Sequence, residues 1–524
     1  MQTRKAGFAV LIAVLLLGLV LSGCGGNSGG GGGNSGNAGE NGGQNEPAAN
    51  GTEPSSSGEE VTLKFYFGGD KKAATDEVWG KISEYVKSKG LNVKFDTNFI
   101  SFGDFQQKML VMAASGDSWD MNFDGDWLSY KQMAAKGSYM ALNDLLPQYA
   151  PNLYKKYEEQ GTLSAATVNG KIVGLPWTMK MNERKFVGWR SDLAKQAGLD
   201  IPDGSVKTIE DMEKLLTEFR EAYPNDKLSR TPPTSLYMIR DEWVDLNFHG
   251  LGFYLNDPDI KIQPVETQPF YREAAHKSKE WYDKGLINRD AMIDKEGEEV
   301  QWRNGKKYIT VTSHEWAYAD PGFVDKSFTQ GISELYPDKK YVNRTPLANV
   351  VAINANSKHP DLVLRFLDMV ETDRTLYDLL QYGIEGKTYV LDGEMAVYPD
   401  GMDSTTSNYM EWGGQWAFWK PQFMRPTQTY PEGFWEKEAE FASEPRNVNS
   451  PVDGLFIAED NIKNELAKRD TASQEFAKPI EFGVAKGDTD KALDDYIALQ
   501  QKNGIDAIVA EAQRQVDEYL ASKK

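Results

Sequence analysis

From Val61 onward the apolar residues switch between two periods, and that alternation narrows the possible folds more than any other feature of the chain. Val61-Thr-Leu-Lys-Phe-Tyr-Phe67 alternates as a strand and stops at Gly68-Gly69-Asp70. Residues 76–89 then carry Val78, Ile82, Tyr85 and Val86 at helical spacing, with Gly90 as the stop. Residues 92–98 read as a strand, 103–114 as a helix and Asp120-Met-Asn-Phe-Asp124 as a third strand after a loop at 115–119. Strand, helix, strand, helix, strand predicts a mostly parallel sheet covered by helices, an α/β architecture.

The later chain keeps the same vocabulary. Asn169-Gly-Lys-Ile-Val-Gly-Leu-Pro-Trp177 reads as a hairpin-like strand pair. Thr208 caps a helix with Asp211 at its N3 position, its buried stripe is Met212, Leu215, Leu216 and Phe219, and Tyr223-Pro224 stops it. Strands are predicted at 307–312 and 349–354, and Pro360 opens a helix carrying Leu362, Val363, Phe366, Leu367 and Val370. Two helices, about 489–502 and 505–521, close the chain with Gly504 between them. About 465 residues follow position 59, too many for one ordinary core and suited to two lobes.

The N-terminal end is of a different kind. Arg4 and Lys5 precede an apolar run from Ala6 to Val20 that ends in Leu21-Ser-Gly-Cys24, the pattern of an export signal over 1–23. Cys24 is the only cysteine in 524 residues and has no disulfide partner. Leu-Ser-Gly-Cys resembles the lipobox of bacterial lipoproteins, in which cleavage leaves the cysteine to carry acyl chains. The competing reading is a secreted protein with an incidental cysteine. Residues 24–59 are Gly, Asn, Ser, Glu, Gln and Pro with almost nothing apolar, so they read as a disordered tether reaching on the order of 30 Å.

Charge excludes one class of partner. The chain has 58 basic and 78 acidic residues, and losing Arg4 and Lys5 with the leader takes the net charge from −20 to −22. Nucleic acid wants a basic footprint, so no such partner is expected.

Val168-Asn-Gly-Lys-Ile-Val-Gly-Leu-Pro176, Trp189-Arg-Ser-Asp-Leu-Ala-Lys-Gln-Ala-Gly-Leu199 followed by Thr208-Ile-Glu-Asp-Met212, Leu379-Leu-Gln-Tyr-Gly-Ile-Glu-Gly-Lys-Thr-Tyr389 and the ending 487–519 together resemble the extracellular solute-binding proteins (family 1) of ABC importers. The nearest group is the long, oligosaccharide-type, LplA-like lipoproteins of Gram-positive bacteria. The resemblance implies a two-lobed periplasmic-binding-protein-like fold of type II, with discontinuous lobes about a hinge. By analogy the N-terminal lobe is 60–176 with 345–390, and the C-terminal lobe is 177–344 with 391–524. It further implies a monomer on the extracellular face of the cell membrane, held only by its lipid, that passes an oligosaccharide to permease subunits. Plant-wall or uronate-containing glycans are among the ligands such a family covers, and peptides stay open. No cofactor and no metal are expected. Many relatives carry a calcium loop where this chain reads Tyr223-Pro-Asn-Asp-Lys-Leu-Ser-Arg230, which lacks the six or more oxygens that calcium prefers. Histidines 249, 276, 314 and 359 have no zinc-ligand spacing.

A sugar ring offers an apolar face and a rim of hydroxyls, which aromatic planes and polar side chains match. The expected ligand residues follow from that chemistry. Trp412, Trp416 and Trp419 form the densest cluster, on a loop or short turn because of Gly413-Gly414; a core stripe is the competing reading. Trp177 stands at the suspected crossover, where hinge packing is the alternative. Asp124, Asp126 and Trp127 end a strand, and open α/β sheets bind ligands beyond their carboxyl ends. Glu315, Trp316 and Tyr318 follow another strand in the same way, and Gly69 and Asp70 close the first. Arg344, with Arg184 and Arg425, could bond a uronate carboxylate. A glycoside hydrolase would need a carboxylate pair, with Glu183, Glu315 or Glu411 as candidates, but no motif singles one out and no enzyme is expected. A glycan-binding adhesion or sensor module is the third reading.

Overall fold

The computed structural model describes residues 59–523, apart from 169, 295–300, 303–304, 314–327, 404–405 and 429. The export signal, Cys24 and nearly all of the tether therefore lie outside the described residues, as do His314, Glu315, Trp316 and Tyr318.

In the first lobe, β1 (Val61–Gly68) turns Leu63, Phe65 and Phe67 to one fully buried face, as its period of two requires. α1 (Thr75–Ser88) packs Val78, Trp79, Ile82 and Val86 inward, whereas Tyr85 reaches sideways to bond Asp373. β2 (Val93–Ile100), α2 (Phe102–Ser115) and β3 (Met121–Asp124) complete the alternation read from the sequence. β1 pairs with both β2 and β3 in parallel.

β4 (Leu175–Pro176) ends the first pass through this lobe. The chain then builds a second body around β5 (Lys185–Arg190), which runs antiparallel between β8 (Ile309–Ser313) and β9 (Gln330–Glu334). Between them lie α3 (Ile209–Ala222), with its Thr208–Asp211 capping box, and a hairpin of β6 (Trp243–Phe248) and β7 (Leu251–Tyr254). After β10 (Tyr341–Val342) the chain returns, and β11 (Val350–Ile353) pairs antiparallel with both β3 and β4. The first sheet therefore has the order β2-β1-β3-β11-β4. All four side chains of β11 are buried, which is why Val-Val-Ala-Ile reads as a continuous apolar run.

The third segment departs from expectation. The family analogy places residues after 390 in the second lobe, yet Ala396, Tyr398, Tyr409, Met410, Trp412, Ala417 and Phe418 are buried in the core of the first. Periodicity could not reveal this, because the stretch has little regular structure and is held largely by side-chain packing and by hydrogen bonds to distant backbone, such as those of Tyr409 and Trp412 to the Leu380 carbonyl. Past it, α4 (Phe434–Ser443) and β12 (Asn447–Val448) lead to α5 (Lys463–Ala472), α6 (Thr489–Asn503) and α7 (Ile505–Ser522). Gly504, at φ 96°, makes the left-handed turn between the last two.

A separate knot of apolar side chains joins the lobes: Trp177, Met179, Met181, Ala348, Trp419, Phe434 and Trp435. Its members come from three stretches, 177–181, 348 and 419–435. Trp177 and Trp419 stack with centroids 5.5 Å apart and planes 7° from parallel.

In the second lobe, Arg469 on α5 is buried with Glu266, 2.7 Å away. Its Nε also donates to the His249 carbonyl at 2.6 Å, tying the β6–β7 turn to the helix. Removing one partner of a buried pair strands the other's charge. Glu266→Ala should therefore lower unfolding free energy in urea by about 3–5 kcal/mol, and replacing Glu266 and Arg469 together by Leu and Met should recover most of that loss.

Candidate functional site

Between the lobes lies a cavity of about 960 Å³, at the upper end of ligand-sized pockets. The first lobe contributes Asp126, Trp127 and Lys131, the connecting strands Glu183 and Arg344, and the second lobe Trp243, Asp245, Asn247 and Asp453.

The loop after β3 is built around Asp124. This carboxylate is fully buried and accepts from the Gly125 N–H at 2.8 Å, the Ser129 N–H at 3.0 Å and hydroxyl at 3.1 Å, and the Tyr139 hydroxyl. It shapes the loop and does not face the cavity. The loop docks on the returning chain, because the Asp126 N–H donates to the Leu347 carbonyl at 2.9 Å and Trp127 Nε1 to the Ala348 carbonyl at 2.7 Å. A Cβ at Gly125 would meet that same Ala348 oxygen at 2.6 Å, so only glycine permits the approach. Trp127 is left 51% exposed, the only exposed tryptophan among the described residues, with Phe102 and Phe123 behind it at 5.7 and 6.1 Å.

Arg344 forms part of the cavity wall. Its Nε lies 3.1 Å from Glu183, and its guanidinium sits 5.7 Å from the Trp177 ring centre. Lys185 also bonds Glu183, at 2.9 Å. Burial alone would raise the Glu183 carboxyl, but Lys185 and Arg344 outweigh it and hold it below the ordinary range. A carboxyl kept ionised in this way is a poor proton donor for glycoside hydrolysis. Burial pushes Asp126 up against the pull of Lys131 and Arg344, and pushes Asp453 up despite the Thr345 hydroxyl.

The other expected ligand residues are placed elsewhere. Trp412 is 0% exposed, packed on Phe67 at 5.0 Å, and its Nε1 donates to the Leu380 carbonyl at 2.8 Å. Trp419 and Trp177 are buried in the knot between the lobes, where Trp177 Nε1 donates to the Trp416 carbonyl at 2.6 Å. Trp416 is half-buried and stacks on Phe102 at 5.8 Å. Trp412 and Trp419 flank a short turn, Gln415–Phe418, that contains Trp416, and the three turn to different neighbours instead of sharing a face. Gly69 and Asp70 do not line the cavity. A Cβ on Gly413 would lie 1.9 Å from the Gly68 carbonyl, so the 413 backbone closes directly over the end of β1. Arg184 is fully buried between Glu444 and Glu334, and Arg425 pairs with Asp378 and Glu394 in the first lobe. In the loop from Tyr223 to Arg230, Lys227 lies 2.5 Å from Asp290 and 3.5 Å from Asp294. Among the described residues, no group of three or more His, Cys, Asp or Glu side chains could hold a metal ion.

The β6–β7 hairpin was missed in the sequence. Trp243-Val-Asp-Leu-Asn-Phe248, then His249-Gly250, then Leu251-Gly-Phe-Tyr254 carries a hairpin signal. Glu242, Asn247 and His249 adopt left-handed φ of 55°, 52° and 47°, which no periodicity foretells.

Residues 82–396 match the family described as bacterial extracellular solute-binding protein. The chain belongs to that family. Residues 452–521 also match a domain of unknown function, DUF3502. A carbohydrate ABC transporter substrate-binding protein of Streptococcus pneumoniae is 24% identical over 478 residues, spanning 89% of this chain and 92% of the relative. The fructooligosaccharide substrate-binding protein FusA of the same organism is 23% identical over 518 residues, with the same shares covered. The crystal structure of the N-glycan transport solute-binding protein NgtS from S. pneumoniae shares the fold, with a TM-score of 0.74 at 23% identity over 88% of this chain and 100% of that one. This solute-binding protein thus has the two-lobed α/β fold of its family.

Two substitutions separate scaffold from loop control. Trp412→Ala should cost about 3–5 kcal/mol of stability, measured in urea, through the cavity it leaves. Asp124 has its pKa raised from 3.8 to about 6, chiefly by burial. A folded-state pKa above the unfolded one gives stabilisation that is complete below the unfolded value and disappears as pH rises through the folded one. The thermal midpoint of the parent protein should therefore fall relative to Asp124→Asn between about pH 4 and about pH 7.

Proposed function

We propose that this protein captures an oligosaccharide between its lobes and delivers it to the permease of an ABC transporter, while acyl chains on Cys24 hold it at the outer face of the cell membrane. The observation that carries the reading is Trp127, a tryptophan standing half out of its lobe into a ligand-sized cleft. Its ring offers a flat apolar surface for a sugar face, and Asp126, Asp245 and Asn247 offer hydrogen-bond partners for the hydroxyl rim. The transporter role is supported by the names of the two pneumococcal relatives, both substrate-binding proteins of ABC transporters for carbohydrates. The leader and the Gly/Ser/Asn-rich stretch after Cys24 support the anchor.

In this reading closure is a population shift. A ligand touching Trp127 on one lobe and the β6–β7 hairpin on the other favours the closed state by the contacts available only there. A thermal-shift screen against a glycan and peptide panel identifies the ligand, since one that binds only the folded form raises its midpoint. With that glycan, Trp127→Ala should weaken binding about tenfold or more, equivalent to ~1.4 kcal/mol or above, and should also lower the ligand-free midpoint modestly, since the indole's hydrogen bond to the Ala348 carbonyl is worth about 1 kcal/mol. The radius of gyration in solution scattering should shrink on saturation, and constant dimensions would contradict the gate.

A further inference from the structure

Granted that the cleft takes an oligosaccharide, its fixed charges decide which kind. We infer that the cleft admits uncharged oligosaccharides and rejects uronate-bearing ones, through carboxylates that both lobes turn toward the bound chain.

The cavity is lined by Asp126, Glu183, Glu242, Asp245, Asp453 and Glu459, six carboxylates, against four cations. The cations are Lys131, Lys185, Lys340 and Arg344. Two of these four are spent on one internal carboxylate, because Lys185 and Arg344 both bond Glu183. Arg344, the donor best suited to a ligand carboxylate, is thus committed to the protein, and its guanidinium is further fixed beside the Trp177 ring. A uronate that paired with Arg344 would have to displace Glu183 and leave that half-buried group without that partner.

The carboxylates are distributed across the cleft rather than gathered on one side. Asp126 comes from the loop that presents Trp127, Asp245 from the β6–β7 hairpin and Asp453 from the segment leading to the last helices. Asp245 is fixed in place: the Asn247 N–H donates to it at 2.6 Å, and it lies between Glu242 and Asn247, both in left-handed backbone. Strain of that kind persists only where the surroundings impose it, and it gathers at ligand contacts. Asp453 is held by a hydrogen bond with the Thr345 hydroxyl, which lines the same cavity. These oxygens accept from sugar hydroxyls, which are neutral donors, and repel an anion placed among them. Ligand carboxylates would meet this wall from both lobes at closure.

The test uses the full-length protein in detergent. The glycan panel includes uronate oligomers beside their methyl esters, and each neutral oligosaccharide that binds is compared by calorimetry with its C6-oxidised form, which differs in carrying a carboxylate. The oxidised partner should bind about tenfold weaker or more at low salt, and the gap should narrow as ionic strength rises from about 0.01 M to about 1 M. Asp126→Asn with Asp453→Asn should narrow it at low salt as well. A uronate oligomer that binds as well as or better than its neutral counterpart overturns the inference, and so does a gap indifferent to salt. Failure of every saccharide to bind refutes the oligosaccharide reading itself.

Discussion

The structure depends on one apolar knot. Trp177 and Trp419, stacked nearly parallel, are surrounded by Met179, Met181, Ala348, Phe434 and Trp435, so chain that passes between the lobes at three separate stretches is gathered in one place. Burying aromatic rings of that size contributes a few kcal/mol each. The polar floor of the cleft rests on the knot: Arg344 lies beside the Trp177 ring and reaches Glu183, which in turn holds Lys185 at the start of β5. A hinge must bend without coming apart. Apolar contacts are non-directional and tolerate small rotations better than a set of hydrogen bonds.

The same economy appears where Trp127 is displayed. A strand end buried by its neighbours turns into a loop whose backbone is bonded to Asp124 from within and to the Leu347 carbonyl of the returning chain from outside, while the Trp127 indole N–H bonds the Ala348 carbonyl. Trp127 is thereby oriented before any ligand arrives. Pre-organisation of that kind lowers the ordering cost of binding.

How much of this was legible in the sequence depended on local periodicity. The alternation from Val61 to Asp124, the Thr208 capping box, the Pro360 helix and the closing helix pair follow from side-chain period and caps, and they appear within a residue or two of where they were read. The tryptophans at 412 and 419 were misplaced because the sequence gives no hint of which neighbours will cover an aromatic in an irregular stretch; Trp412 is sealed by Phe67 and Trp79, over 300 residues earlier. Asp124 and Asp126 looked alike as residues. The Gly125 and Ser129 N–H groups and the Ser129 and Tyr139 hydroxyls, converging on the first, make it a brace and leave the second at the cleft. The β6–β7 hairpin escaped because its bulge and left-handed residues interrupt the alternation that marks a strand.

The carboxyl-terminal helices have a further role beyond closing off a core. The Tyr519 hydroxyl and the Lys523 ammonium, the latter at 3.2 Å, both bond the carbonyl of Asp453, whose side chain lines the cleft. Arg469, in the same module, grips the tip of the β6–β7 hairpin, which shares a core with the closing helices and lines the cleft through Asp245 and Asn247. The carboxyl-terminal module thus braces the cleft at two points, the Asp453 carbonyl through the final helix and the β6–β7 turn through Arg469.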